Sequence, residues 1–130
     1  MQYSLLVMSQ EAGDAEVSAE AMAWGRAAFD AYAKSLDAAG VLISADILQP
    51  VAVATTIRVR DGQLTVQDGP FTNTKERLNG TFVISVADLD AAIGWAEKCP
   101  GAQYGAVEIR PSVIVFQDGA WHPVDETASA

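Results

Sequence analysis

The run Tyr3 to Met8 constrains the fold more than any other stretch, because both of its alternating faces are hydrophobic. Tyr3, Leu5 and Val7 fall on one face, Leu6 and Met8 on the other. Successive side chains of a strand point to opposite sides. A run that is apolar at both parities therefore reads as a central strand covered on both sides. Helices of the same chain can cover one side, and the other needs a further layer.

A chain of 130 residues, half of them apolar and 19% charged, can close one hydrophobic core and reads as a single domain. Eight basic residues against 17 acidic ones give a formal charge of −9 and leave no basic stripe. Such a surface repels a phosphate backbone, so direct nucleic-acid binding is not expected. No apolar run approaches the roughly 20 residues of a membrane span, and the N-terminus lacks the positive region of a secretory signal. The expectation is a soluble, cytoplasmic, acidic protein. Cys99 is the only cysteine and His122 the only histidine. These exclude an internal disulfide and a Cys/His zinc cage, and no metal or cofactor is expected.

The segment from Ser9 to Val17 is an acidic loop with Glu11, Asp14 and Glu16, and it leads to Ser18 as an N-cap. From about Ser18 to Ala39, Met22, Phe29, Ala33 and Leu36 form an apolar helical stripe, with Arg26, Asp30, Lys34 and Asp37 assigned to the opposite side. Gly40 ends this helix. Val41 to Gln49 reads as a strand that closes at Pro50. In residues 55 to 67 the Asp61-Gly62 pair is a favoured two-residue hairpin turn. Its register sets Val59 opposite Leu64, Ile57 opposite Val66 and, on a polar side, Arg58 opposite Thr65. Thr81 to Val86 alternates as another strand. Asp88 caps a helix to about Lys98, striped by Leu89, Ala92, Ile93 and Ala96, in which Gly94 implies tight packing. Cys99-Pro100-Gly101 stops it. Ala106 to Phe116 is the last long strand, bent at Pro111. Asp118-Gly119 turns the chain so that Ala120 to Val124 pairs back, and the end from Asp125 frays.

With the 55 to 67 hairpin set aside, the order is strand, helix, strand, strand, helix, strand, the split βαβ or ferredoxin-like α+β plan. Right-handed crossovers put both helices on one face of an antiparallel sheet. The other face is then bare although its residues are apolar, so a twofold homodimer with sheets face to face is expected.

Asp68-Gly69-Pro70-Phe71, followed by Thr74-Lys75-Glu76, Cys99-Pro100, Tyr104-Gly105 and Val107-Glu108-Ile109-Arg110-Pro111, resembles the DGPF subgroup of YCII-related proteins. The resemblance runs from the first strand to Pro111. It implies a dimeric α+β barrel. The 55 to 67 hairpin then reads as an insertion in a single domain of residues 1 to 117, followed by a C-terminal extension from 118 to 130. The resemblance also implies a cleft near the protomer interface. The active site proposed for YCII-related proteins is a histidine paired with an aspartate. Here His122 lies in the tail, and the first helix offers Trp24, Arg26 and Tyr32 without an imidazole, so that pair does not carry over. DGPF-type proteins are often encoded beside extracytoplasmic-function sigma factors, which implies a regulatory association.

Asp68 is the best catalytic candidate, as a general base or a ligand for a cationic or hydroxyl group, set against an Asx-turn within its own loop. Phe71 is either packed apolar anchor or stacking surface. Lys75, with Glu76 and Arg77, is either a solvated run or part of a site between protomers. Glu108 and Arg110 project from one face of the last strand, either as interface salt bridges or as cleft residues, and buried charges survive there only when partnered, by a ligand or by a neighbour's arginine, with Arg58 as one such partner. Tyr104 offers a hydroxyl, Trp24 and Trp95 can border a cleft, and Cys99 reads as a buried small hydrophobe. Two functions fit these residues. In the first the protein binds, or converts, a small molecule in a cleft near the dimer interface; in the second it is a non-enzymatic regulatory module whose acidic surface meets a partner protein.

Overall fold

The computed structural model of the protein describes residues 1–11 and 18–124. The chain runs through β1 (Gln2–Ser9), α1 (Ala19–Ala38), β2 (Leu42–Ile47), a short 3₁₀ turn (Val51–Val53), β3 (Thr55–Arg60) and β4 (Gln63–Asp68). Then follow β5 (Arg77–Ser85), α2 (Leu89–Glu97), α3 (Gly101–Tyr104), β6 (Ala106–Pro111), β7 (Ile114–Gln117) and β8 (Ala120–Pro123). Four of these strands form an antiparallel sheet in the order β2-β5-β1-β6. This is a mixed α+β architecture whose strand order is compatible with the ferredoxin-like plan.

β1 is central, as its two apolar parities require. It pairs with β5 on one side, Leu5 opposite Phe82, and with β6 on the other, Leu5 opposite Ile109. Tyr3, Leu5, Val7, Phe82, Ile84 and Val86 are buried on the helix-covered face with Tyr32 and Leu36 of α1 and Ala92 and Ala96 of α2. Tyr32 meets Phe82 edge-on at 5.0 Å, and its hydroxyl donates to the Trp95 carbonyl at 2.8 Å, joining α1 to α2. Burial pushes the Tyr32 phenol and the fully buried Cys99 thiol above their ordinary pKa values.

Local chemistry sets the helix ends. Ser18 accepts from the Ala21 amide at 3.0 Å and Asp88 from the Ala91 amide at 2.9 Å, each satisfying a first-turn donor. Gly40, at φ 74°, follows α1 in the left-handed conformation that glycine takes without strain. The β3–β4 hairpin has the expected register, Val59 opposite Leu64, Ile57 opposite Val66 and Arg58 opposite Thr65. Asp61 and Gly62 at its turn both have positive φ.

Four readings of the sequence need correction. The stretch from Ala106 to Phe116 is two strands in different sheets. Pro111 ends β6, the Ser112 amide donates to Gln2, and the chain then leaves to form the β7–β8 hairpin. Cys99-Pro100-Gly101 ends α2 but also opens α3, because proline is favoured at a helix start. Gly94 is not held by tight packing, since a Cβ there would meet no atom within 4 Å. Arg26 and Asp30 do not face away from the sheet; they border a cleft beside Phe29. The expected frayed end, 125–130, and the 12–17 part of the acidic loop lie outside the described residues.

Candidate functional site

The sheet is wider than its helical cover. α1 buries only Tyr32 and Leu36, and from Ala19 to Ala27 every residue is exposed. Between the N-terminal half of α1 and the edge strand β2 lies an open cleft of about 600 Å³, a size that fits a small molecule. Its floor is Phe29, stacked on Phe82 with ring centroids 6.2 Å apart, together with Ala33 and Ala45. Met22 and Ile47 flank it, and Gly25, without a side chain, widens it. A Cβ at Gly25 would meet nothing within 4 Å.

Arg26, Asp30 and Asp46 are the charged lining groups. Asp30 binds Lys34 one turn on at 2.8 Å. Asp46 accepts a hydrogen bond from the Thr81 hydroxyl at 2.9 Å. Arg26 has no ion-pair partner among the described residues. Two smaller clefts, of about 260 and 240 Å³, flank Met1; His122 lines the second, with its Nε2 3.0 Å from the Gln117 carbonyl oxygen.

The residues singled out from the sequence occupy other places. Arg58 lies over the ring of Phe71 at 4.6 Å, so these two meet, beside the loop that Asp68 opens. Phe71 is 65% exposed, an aromatic surface under a cation and not part of the core. That loop is held without the Asp68 carboxylate: the Gly69 amide donates to the Ala54 carbonyl, the Thr56 hydroxyl to that of Gly69, and the Gln67 amide to that of Pro70. Glu108 and Arg110 pair with each other at 3.3 Å on the open sheet face, opposite Leu6 and Ser4 of β1. Lys75 and Tyr104 are exposed, and burial of its neighbourhood moves the Tyr104 phenol above its ordinary pKa. Trp24 is exposed on α1, and the Trp95 ring carries Lys98 at 4.7 Å. None of Asp68, Arg58, Phe71, Lys75, Tyr104, Glu108 or Arg110 lines the three clefts.

The sequence reading missed the α1–β2 cleft because a helical wheel separates polar from apolar positions without saying which neighbour each meets. One signal was present. Gly25 inside a helix, one position from an arginine and four from Phe29, marks a place where the helix face is cut away.

The fold and this cleft define a class, a small α+β protein with an antiparallel sheet compatible with the ferredoxin-like plan and an open apolar cleft beside its edge strand. Residues 1–117 match the YCII-related domain, and the chain belongs to that family. It is similar to an uncharacterised protein of Rhizobium meliloti (strain 1021), 39% identical over 69 residues. That match covers 52% of this chain and 56% of the relative, so the chain spans about half the length of the curated relative it matches.

Proposed function

We propose that the protein binds a small molecule with an apolar body in the α1–β2 cleft. The observation that carries this reading is an apolar cleft open to solvent, floored by the half-buried Phe29 with the buried Phe82 behind it and bordered by charged groups, the usual composition of a ligand site. Binding is the reading; the acid–base groups of the cleft lining are the Asp30 and Asp46 carboxylates, engaged by Lys34 and by the Thr81 hydroxyl. A metabolite panel read by thermal melting tests it, because a ligand that binds only the folded state raises Tm. Gly25→Leu, which puts a side chain into open space at the cleft, should abolish the shift while the variant stays folded. No shift with any apolar-bodied metabolite, or shifts that survive Gly25→Leu, would overturn it.

The DGPF-like blocks support placing the chain in that subgroup, with β3–β4 as an insertion in the ferredoxin-like plan and 118–130 as an extension whose first part returns as β8. A twofold dimer belongs to the same reading. Ile57, Val59, Leu64 and Val66 on the hairpin's apolar side are all more than half exposed, an uncovered apolar surface that supports an interface.

A further inference from the structure

Resting on the cleft reading above, we infer that the ligand carries a carboxylate, which Arg26 binds at the mouth of the cleft while an aryl or alkyl body lies on Phe29, which the buried Phe82 backs. The inference comes from how the charges around the cleft are already used. Asp30 stands four residues from Arg26 and four from Lys34, so either cation is within helical reach. It closes on Lys34 at 2.8 Å. Asp46, on β2, is engaged by the Thr81 hydroxyl at 2.9 Å. Among the described residues this leaves the Arg26 guanidinium as the cleft's one charged group without a protein partner.

A guanidinium presents parallel N–H donors whose spacing matches the two oxygens of a carboxylate. Beside an apolar wall such a pair is screened by less water than at an open surface, so it discriminates more strongly. The four charges around the cleft, Arg26, Lys34, Asp30 and Asp46, sum to zero. The local field therefore does not exclude an anion, although the whole chain carries −9. That distant charge is largely screened beyond about 8 Å at physiological ionic strength and acts mainly on the rate of approach. An amine of the same shape would meet Arg26 as a like charge. An alcohol would leave the guanidinium with a weaker acceptor.

The test uses three probes that share one body, 4-phenylbutyrate, 4-phenylbutanol and 4-phenylbutylamine, titrated into the full chain at pH 7 by calorimetry. The acid should bind at least tenfold more tightly than the alcohol, and the amine most weakly. Arg26→Gln, at an exposed helical position where the fold is not at stake, should bring the acid to within twofold of the alcohol and leave the alcohol unchanged. Equal binding of acid and alcohol to the unaltered protein would overturn the carboxylate assignment and leave the cleft reading standing. An acid preference that persists in Arg26→Gln would overturn the role of Arg26. If no probe binds at millimolar concentration, the cleft reading fails and this inference with it.

Discussion

Two glycines show how differently one residue type is used. A side chain at Gly94 would enter open space, so the glycine only loosens the middle of α2. Gly94→Ala should stabilise the protein by about 1 kcal/mol, read as a rise in the urea midpoint at unchanged slope. At Gly105 a Cβ would run into the Met8 carbonyl of β1, where α3 passes to β6. Gly105→Ala should therefore destabilise strongly, since backbone on the far side cannot yield. A midpoint for Gly105→Ala equal to the parent's would contradict that close approach. Tyr32 makes a different kind of prediction. Its phenol is raised by burial from an ordinary 10.0, and the Cys99 thiol likewise from 9.0. Both stay protonated in the folded state at pH values where the unfolded chain has lost the proton. Their contribution is complete below those ordinary values and is lost as pH rises above them. Stability should be level from neutrality to about pH 8.5 and then fall. Tyr32→Phe should cost about 1 kcal/mol at pH 7 for the lost bond to Trp95. It should also make the decline above pH 10 shallower; an unchanged alkaline slope would deny the phenol its part.

Elements were legible in the sequence where their cause is local. The Asp61-Gly62 turn depends on two positive φ values that this pair tolerates, so both the hairpin and its register could be read. The caps at Ser18 and Asp88 are equally local. α2 has nine residues, short for a helix to hold by propensity alone, so its cap matters. Asp88→Ala should lower stability by about 1 kcal/mol, with Asp88→Asn restoring most of it. Equal losses in the two variants would mean that the carboxylate charge, not the cap bond, was at work. Legibility ended where an element's fate depends on a neighbour distant in sequence. Pro111 reads as a bend, but only the pairing of Ser112 with Gln2 makes it the point where the chain changes sheets. Arg26 reads as a solvent position on the helix, but only the exposed edge of β2 makes it a cleft residue. Asp68 stands in the most distinctive tetrapeptide, yet the loop there is fixed by Thr56, Gln67 and the Gly69 amide.

At the scale of the whole molecule the two parities of β1 return as a question of what lies on the second face. One parity is the core. The other carries Leu6 and Met8, half-buried, with Val83 of β5 beside them and the Glu108–Arg110 pair at the rim. The β7–β8 hairpin reaches only one end of this face, near Gln2, Ile43 and Ser85. A twofold partner laid sheet to sheet would cover the rest and bring Leu6 and Val83 against their copies. Leu6→Arg then separates the alternatives. In a monomer this half-buried site tolerates a long side chain, whose charged end reaches water, at a small cost in stability. In a dimer the substitution buries two guanidinium groups in the interface, and even with Glu108 opposite each of them the desolvation penalty of several kcal/mol per ion opposes association. Light scattering of the parent at micromolar concentration should give twice 13.7 kDa, and Leu6→Arg should give the single value while circular dichroism remains that of a folded chain. Val59→Lys with Leu64→Lys, on the hairpin, should leave the mass doubled if the sheet faces alone form the contact and halve it if the hairpin embraces the partner. A parent of 13.7 kDa under those conditions would mean that the second face is an ordinary solvent surface.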